Sequence, residues 1–166
     1  AIGICICKRI IKFARKDMLM EILKVKKLRE NAKMIKRATK GSAGMDLCAC
    51  IDEPVTIKPG EIKVIPTGLA IALENENFVA YIFARSGLAI KHGITLANCV
   101  GVIDSDYRGE VCVGLTNISQ ISYTVERDER IAQLVISPVC MCDTVEVDEL
   151  DDTARGAGGF GSTGKK

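Results

Sequence analysis

Apolar and polar residues alternate along most of the chain with a period of two, which is the period of a β-strand and not of a helix. The segment 21–28 alternates apolar with charged residues, as is typical of an edge strand, and 143–150 repeats that pattern. Further extended segments, separated by turns such as Pro59-Gly60, are predicted at 46–51, 55–73, 78–84, 109–119 and 123–137. Only 86–92 predicts a helix. The pattern therefore predicts an all-β, jelly-roll-like fold with one short helix.

The composition is that of a single globular domain: 166 residues, of which 48% are apolar. Trp is absent and aromatic residues are few, so we expect an aliphatic core. No apolar run approaches the ~18 residues of a membrane-spanning helix, and no membrane partner is expected. The domain is predicted over 20–150. The segment 151–166 is acidic and then glycine-rich, without an apolar face, which predicts a mobile C-terminal arm.

Charge is distributed unevenly along the chain. Residues 1–40 hold thirteen Lys or Arg against three Asp or Glu, a net charge of +10, whereas residues 41–166 carry −8. Basic segments can bind nucleic acid or anionic surfaces, but the acidic remainder opposes this, and no nucleic-acid partner is expected. Residues 1–17 reverse the order of a signal peptide. We interpret 1–19 as a basic extension, a tag or sequence upstream of the true start, and expect a cytoplasmic protein.

Six of the eight cysteines stand in C-x-C pairs, namely Cys5/Cys7, Cys48/Cys50 and Cys140/Cys142. Zinc sites usually place two to four residues between paired cysteines, so this spacing does not favour zinc. We predict reduced thiols that act as small core hydrophobes.

The segment "GVIDSDYRGEV", residues 101–111, is a candidate catalytic element. An apolar trio, 101–103, is predicted to be buried and to deliver Asp104 at the end of a strand, with Asp106 and Tyr107 in a hairpin that Gly109 closes. A carboxylate at a rigid strand end suits a general base. A purely turn-forming role for the two aspartates is an equal alternative.

Two further segments point to phosphate. In "ARSGLA" (84–89), Ser86 is predicted to cap the short helix beside Arg85, and a helix N-terminus with a guanidinium favours phosphate oxygens. An ordinary cap beside a surface arginine is the alternative. In "ERIAQLV" (129–135), Arg130 and Gln133 lie in an apolar strand, where Gln133 needs a partner unless it is exposed at an edge.

"SAGMDL" (42–47) places Asp46 at the start of a strand, and the chain ends in "RGAGGFGSTGKK" (155–166). The ending fits seven positions of a nucleotide-binding P-loop, but Lys166 replaces the final Ser or Thr and no helix follows. A P-loop ATPase is therefore excluded.

Together and in this order, the five segments 42–47, 84–89, 101–111, 129–135 and 155–166 resemble the five motifs of the trimeric dUTP pyrophosphatases (dUTPases). The resemblance runs from about Met20 to the C-terminus. It implies a jelly-roll-like (β-clip) fold and a homotrimer with three active sites between subunits. The implied reaction is Mg²⁺-dependent hydrolysis of dUTP to dUMP and pyrophosphate, by water attack on the α-phosphorus. This reaction keeps uracil out of DNA and supplies dUMP for thymidylate synthesis.

The resemblance also implies individual roles. Asp104 would orient and activate the attacking water, and Tyr107 would pack under the deoxyribose and exclude a 2′-hydroxyl. Asn98 would read uracil together with backbone groups of a hairpin over 98–107, including Val102 and Ile103. Phosphate contacts are implied for Arg85, Ser86, Gly87 and Gln133, and Asp46 would reach Mg²⁺ through water.

The arm is implied to be donated to the site of a neighbouring subunit. There Arg155 would contact phosphate, Phe160 would stack on uracil, and Gly161, Ser162 and Thr163 would bind the substrate, the two hydroxyls at the terminal phosphates.

Two related alternatives are weaker. A dCTP deaminase would need a Glu on the strand after the Asp104 motif, and no acid follows Glu110 there. A non-enzymatic trimeric module would be expected to lose Asp104 or the arm motif. His92 matches no catalytic position and is predicted to be structural or exposed.

Overall fold

The computed structural model describes residues 22–159, and the elements below belong to that part of the chain. They are β1 (Lys24–Lys27), β2 (Met45–Cys48), β3 (Val55–Ile57), β4 (Ile62–Pro66), β5 (Leu69–Ala72), β6 (Phe78–Ala84), α1 (Ser86–His92), β7 (Ile94–Leu96), β8 (Gly101–Ile103), β9 (Cys112–Asn117), β10 (Tyr123–Val125) and β11 (Arg130–Pro138). The bounds of β6 and α1 are those predicted from the sequence. An all-β fold with one short helix is thus confirmed over the described range.

The strands form antiparallel sheets whose neighbours are seldom consecutive in sequence. One sheet has the order β2-β11-β6-β8, a second has the order β4-β9-β7, and β1-β5 and β10-β3 form two-stranded pairs. Because β6 and β11 lie in the centre of the first sheet, the ends of β2, β11 and β6 lie side by side. Strand β1 pairs with β5 alone, as predicted for an edge strand.

The core is aliphatic, as predicted. Leu47, Ile65, Leu115 and Leu134 are at most 1% exposed, and Phe78 is the aromatic residue of the main core cluster among the described residues. Strand β9 shows the period of two: Val113 and Leu115 are buried, whereas Cys112 is exposed and Gly114 is half-buried. Burial of each large apolar side chain contributes about 1.5–3 kcal/mol, so these layers hold the strand ends in place.

A tight turn between β4 and β5 brings the chain close to two neighbouring segments. Gly68 has φ of +68°, and a Cβ there would lie 2.7 Å from the Ala32 Cβ and 2.8 Å from the Cys50 Sγ. Glycine alone fits this conformation and this space without strain. The turn presents the Gly68 N–H to Glu110, a contact that matters below.

The prediction of a strand at 143–150 is wrong. The structure has no strand there, and Val145 and Leu150 are 80% and 87% exposed. Alternation makes a segment compatible with a strand, but a strand also needs a neighbour, and within the described chain no sheet edge pairs with this segment.

The predictions of a hairpin over 98–107 and of a hairpin closed by Gly109 are also wrong. Strand β8 pairs with β6, whereas β7 and β9 pair with each other in the second sheet. Residues 97–100 and 104–111 therefore cross between sheets. The trio 101–103 is only partly buried, since Val102 is 61% exposed between Gly101 and Ile103, as alternation requires.

The cysteine prediction holds for one region only. Cys50 is buried and Cys48 is half-buried, but Cys99, Cys112, Cys140 and Cys142 are exposed, and none of these six forms a disulfide. Of the described C-x-C pairs, only 48/50 lies at the core, with Cys48 at the end of β2 and Cys50 just beyond it. Cys5, Cys7 and the proposed extension 1–19 lie outside the described residues. From 22 to 159, no helix has the length and apolarity to cross a membrane.

Candidate active site

Three of the five motifs meet at one end of the four-stranded sheet. Gln133 on β11 lies opposite Asp46 on β2 and opposite Phe83 on β6. Arg85 follows the end of β6 directly, so its side chain joins the same group. The result is a pocket of about 360 Å³, the Asp46 pocket, lined by Ala38, Ser42, Ala43, Gly44, Asp46, Arg85, Ser86, Gly87 and Gln133.

The Asp46 carboxylate holds two arginines at this pocket. Its Oδ1 lies 3.2 Å from the Arg85 Nε, and its Oδ2 accepts a hydrogen bond of 3.2 Å from the Arg130 Nη1. Asp46 and Arg85 are 19% and 27% exposed at their side chains, so both are partly withdrawn from water. Charge-assisted bonds of this kind are among the stronger side-chain bonds and orient the planar guanidinium groups.

Gln133 has the partner that the sequence required. Its Nε2 donates 3.1 Å to the carbonyl oxygen of Ala84, next to Arg85. Gly44 leaves room for this side chain, since a Cβ on Gly44 would lie 2.5 Å from the Gln133 Oε1. The glycine of the first motif therefore has a steric function that residue spacing did not indicate.

Ser86 does not cap the helix, contrary to the prediction. The N-cap is Arg85, with extended φ and ψ of −87° and 126°, and the helix begins at Ser86 with no side-chain cap bond. A capping side chain belongs to the residue before the first helical one. Ser86 and Gly87 instead line the Asp46 pocket and are exposed.

A second pocket of about 300 Å³, the Asp104 pocket, holds the third motif. It is lined by Ile82, Val102, Ile103, Asp104, Tyr107, Glu110, Val111 and Cys112. Asp104 follows the end of β8, as predicted. The Tyr107 hydroxyl donates 3.0 Å to the carbonyl oxygen of Glu110. A Cβ on Gly109 would collide with the Tyr107 phenol, so glycine permits the ring to fold back.

The two pockets lie at opposite ends of the sheet. Ile103 is paired with Ala80 in the antiparallel β6-β8 ladder, which places Asp104 beside residue 79. Arg85 lies at the other end of β6, about 20 Å away at ~3.3 Å per residue. Asp104 and Arg85 of one chain are therefore too far apart to act on the same phosphate group.

The remaining predicted residues lie elsewhere. Asn98 is exposed in the turn after β7, where its carbonyl accepts the Val100 N–H, and it lines neither pocket. Arg155 is exposed in a turn near the end of the described range. Phe160, Gly161, Ser162 and Thr163 lie outside the described residues.

Sequence reasoning missed the pairing of Arg130 with Asp46 and the contacts of Glu110. An arginine at the start of an apolar strand was a signal that could have led to the first of these. Nothing in the sequence signalled the second, because Glu110 meets its partners only through the fold.

Comparisons with known proteins show which family the chain resembles. A family model described as dUTPase matches residues 30–164. The deoxyuridine 5'-triphosphate nucleotidohydrolase of Hahella chejuensis is 56% identical over 129 residues, 78% of this chain and 85% of the relative. That of Burkholderia mallei (strain SAVP1) is 50% identical over 143 residues, 86% of this chain and 97% of the relative.

Solved structures are similar over most of the chain. A mutant dUTPase of Staphylococcus bacteriophage 80alpha with dUpNHpp has a TM-score of 0.79 at 30% identity, covering 87% of this chain and 99% of that one. A mutant dUTPase from phage phi11 of S. aureus, described with a structural Mg(II) ion, has a TM-score of 0.70 at 27% identity, covering 78% and 98%. The motif order, the family match over most of the chain and relatives at this identity show that the chain belongs to the dUTPase family.

Proposed function

We propose that this protein hydrolyses dUTP to dUMP and pyrophosphate, with Asp104 as the base that orients and activates the attacking water. The observation that carries the proposal is the convergence of Asp46, Arg85 and Gln133 on one pocket, in a chain of the dUTPase family that also holds Asp104 at a strand end. Water attacks the α-phosphorus, its proton passes to the Asp104 carboxylate, and pyrophosphate leaves. A positioned carboxylate base contributes typically ~10²–10⁴ in rate.

The Asp104 pocket has the chemistry of a nucleoside site. The Tyr107 ring is the aromatic wall of the pocket, and its hydroxyl already donates its proton to the Glu110 carbonyl, so it has no O–H left to donate to a 2′-hydroxyl. A ring packed under the sugar excludes ribose by leaving that hydroxyl without space or partner. We assign the uracil contacts to Asn98 and to the backbone around Val102 and Ile103.

The Asp46 pocket has the chemistry of a triphosphate site. The Arg85 guanidinium, the N-terminal N–H groups at Ser86 and Gly87, and the Gln133 amide all supply hydrogen-bond donors. Donors of this kind suit phosphate oxygens. The ion pair with Asp46 orients the Arg85 guanidinium at the pocket before the substrate binds.

The side chains of this pocket fit Mg²⁺ that arrives on the substrate. From 22 to 159, no group of three His, Cys, Asp or Glu side chains converges to hold a metal, and Asp46 is the carboxylate of the pocket. Mg²⁺ keeps several waters and binds readily through one carboxylate plus phosphates. Bound there, it would neutralise phosphate charge, and Asp46 would hold it through water.

The separation of the two pockets supports a site shared between subunits of a homotrimer. Because Asp104 lies about 20 Å from Arg85 along the sheet, the phosphates held at one chain's Asp46 pocket need the Asp104 of another chain. The C-terminal arm, 151–166, would complete the site of a neighbouring subunit, with Arg155, Phe160, Gly161, Ser162 and Thr163 contacting substrate. We further propose that the enzyme is cytoplasmic.

A substrate panel tests the activity. The protein is incubated with dUTP, dCTP, dTTP or UTP and Mg²⁺, and pyrophosphate and the nucleotide products are measured. We expect rapid release of pyrophosphate from dUTP and not from the other three nucleotides. Equal hydrolysis of all four nucleotides, or none of dUTP, would contradict the proposal, and deamination of dCTP would favour the deaminase.

Two neighbouring aspartates provide a matched test of the base. Asp104→Asn should abolish turnover but retain dUTP binding, since the amide keeps the size and one acceptor of the carboxylate. Asp106→Asn, two residues away and outside the pocket lining, should retain activity. Loss of binding in Asp104→Asn would refute its assignment as the base.

Mixed trimers test the shared site. Asp104→Asn and Arg85→Ala chains are each expected to be inactive. Refolded together at equal amounts, they should recover about a quarter of the wild-type activity. Each shared site needs an intact Arg85 from one chain and an intact Asp104 from its neighbour, and random assembly brings these together at about one interface in four. No recovery in trimers shown to be mixed would mean that each site is built within one chain.

A further inference from the structure

The loop between β8 and β9, residues 104–111, carries Asp104 and Tyr107 but has no strand ladder of its own. Short internal bonds shape it: the Tyr107 N–H donates 3.2 Å to the Asp104 carbonyl, and the Arg108 Nη1 donates 2.7 Å to the Ser105 carbonyl. These bonds define the curl of the loop but do not attach it to either sheet. Its position relative to the rest of the molecule therefore depends on anchors at its ends.

The anchors at the C-terminal end converge on Glu110 and Val111. The Glu110 Oε1 accepts 2.7 Å from the Gly68 N–H, and its Oε2 lies 3.4 Å from the Arg29 Nη2. The Val111 N–H donates 2.8 Å to the Leu69 carbonyl. Arg29 is itself fixed by a 2.9 Å bond to the Cys50 carbonyl. The Glu110 side chain is 24% exposed, so these bonds are partly shielded from water.

Glu110 also determines where the Tyr107 ring lies. The Tyr107 hydroxyl bonds to the Glu110 carbonyl oxygen, and the missing Cβ of Gly109 lets the ring lie across the loop. The same residue thus fixes the loop to Gly68 through its side chain and holds the ring through its main chain. A shift of Glu110 moves the acceptor of the phenol and the ring with it.

We infer that Glu110, with Arg29, is a positioning residue that sets the sugar specificity of the Asp104 pocket by fixing the Tyr107 ring. This inference rests on the proposed function, in which that ring excludes ribose. Glu110 also lines the Asp104 pocket, but its carboxylate is bonded to the Gly68 N–H and paired with Arg29. It acts through Tyr107.

The specificity ratio is the measurement that tests it. The ratio of kcat/KM for dUTP over UTP is measured for the wild type, Glu110→Ala, Glu110→Gln and Arg29→Met. We expect Glu110→Ala to lower the ratio by about tenfold or more, the size of effect that a misplaced discriminating group produces. Glu110→Gln keeps an acceptor for the Gly68 N–H, so its ratio should lie between those of the wild type and Glu110→Ala. The ratio of Arg29→Met should lie in the same interval.

A double-mutant cycle shows whether the effect passes through the ring. Tyr107→Phe removes the bond from the phenol to the Glu110 carbonyl. If Glu110 acts through this bond, Glu110→Ala should lower the ratio less in the Tyr107→Phe background than in the wild type, since coupled residues are not additive. Full additivity of the two changes would overturn the inference.

Glu61→Gln is the control. Glu61 likewise accepts a backbone N–H, from Lys58 at 2.9 Å, and pairs with a cation, Lys63 at 2.8 Å, but it lines neither pocket. Its substitution should leave the ratio unchanged. A Glu110→Ala or Glu110→Gln variant with a lower melting temperature but an unchanged ratio would make Glu110 merely structural. Failure of the wild type to hydrolyse dUTP would instead refute the proposed function, so the two failures are distinguishable.

Discussion

The carboxylate of Asp46 lies 3.2 Å from the Nε of Arg85, which joins the segment 42–47 to the segment 84–89 across the four-stranded sheet. The two residues lie on β2 and at the end of β6, strands that do not touch because β11 separates them. Side chains alone make this connection. Replacing Asp46 therefore tests how much this ion pair contributes to holding the Asp46 pocket together.

Replacing Asp46 should cost both stability and substrate binding. Asp46→Asn leaves Arg85 and Arg130 without their shared carboxylate in a partly buried site. We expect the free energy of unfolding to fall by about 1–2 kcal/mol and KM for dUTP to rise, because the freed guanidinium groups lose their orientation. Urea unfolding and steady-state kinetics measure the two effects.

Asp52→Asn is the matched comparison. Asp52 pairs with Arg127 at 3.4 Å, but its side chain is 86% exposed. Exposed pairs contribute little, so this variant should unfold within about 0.5 kcal/mol of the wild type and keep its KM. Equal destabilisation in the two variants would show that the Asp46 bridge is no more than a surface ion pair.

A methyl group on Gly44 should displace Gln133. Gly44→Ala puts a carbon 2.5 Å from the Gln133 Oε1 and 3.1 Å from its Cβ, so the amide must leave its bond to the Ala84 carbonyl. We expect kcat/KM for dUTP to fall by between about tenfold and a hundredfold, as misplacement of a substrate-binding group by ~1 Å does.

Gly41→Ala tests whether any added methyl in this turn has the same effect. A Cβ on Gly41 meets nothing within 4 Å, so kinetics and melting temperature should stay close to those of the wild type. If Gly44→Ala also behaves like the wild type, Gln133 has no role at the phosphates.

Thiol reactivity should divide the cysteines by exposure. Burial raises the pKa of the Cys48 thiol, and the nearby Asp46 carboxylate raises it further. The thiolate is the reactive form, so Cys48 should react slowly near pH 8, and buried Cys50 more slowly still. Exposed Cys140 and Cys142 should react faster than Cys48 and Cys50. Peptide mass spectrometry after timed iodoacetamide labelling gives the rate at each site.

Denaturant supplies the control for this experiment. In about 6 M guanidinium chloride, where burial is lost, the thiols of Cys48, Cys50, Cys140 and Cys142 should all react at similar rates. Fast labelling of Cys50 in the native protein would mean that the β2 region opens readily.

Removing the end of the arm should separate folding from catalysis. A variant lacking residues 154–166 keeps every strand of the described fold, so its melting temperature and oligomeric state should match those of the full chain. Its dUTP hydrolysis should be nearly lost, because the proposed contacts of Arg155 and Phe160 to substrate are gone. Calorimetry, light scattering and the pyrophosphate assay measure these properties.

A shorter truncation sharpens that result. Deleting Lys165 and Lys166 alone removes two charges but none of the proposed substrate contacts, and it should leave most of the activity. Full activity in the longer truncation would show that the arm does not complete the site.

The sequence by itself determined the fold class, the strand and helix bounds at 78–84 and 86–92, and the family. These features are local or are carried by motif order: period-two alternation specifies a strand within a few residues, and five motifs in series specify a family. It also supplied the proposed site residues, namely Asp104, Tyr107, Arg85, Gln133 and Asp46.

Tertiary structure decided which segments meet. The segment 143–150 has the pattern of a strand but finds no partner in the described chain, and β8 and β9 are adjacent in sequence but join different sheets. The bridge from Asp46 to Arg85, the contacts of Glu110 with Gly68 and Arg29, and the distance between Asp104 and Arg85 all depend on strand order and register. Pairing between distant segments depends on the packing of the whole chain, and no local pattern encodes it.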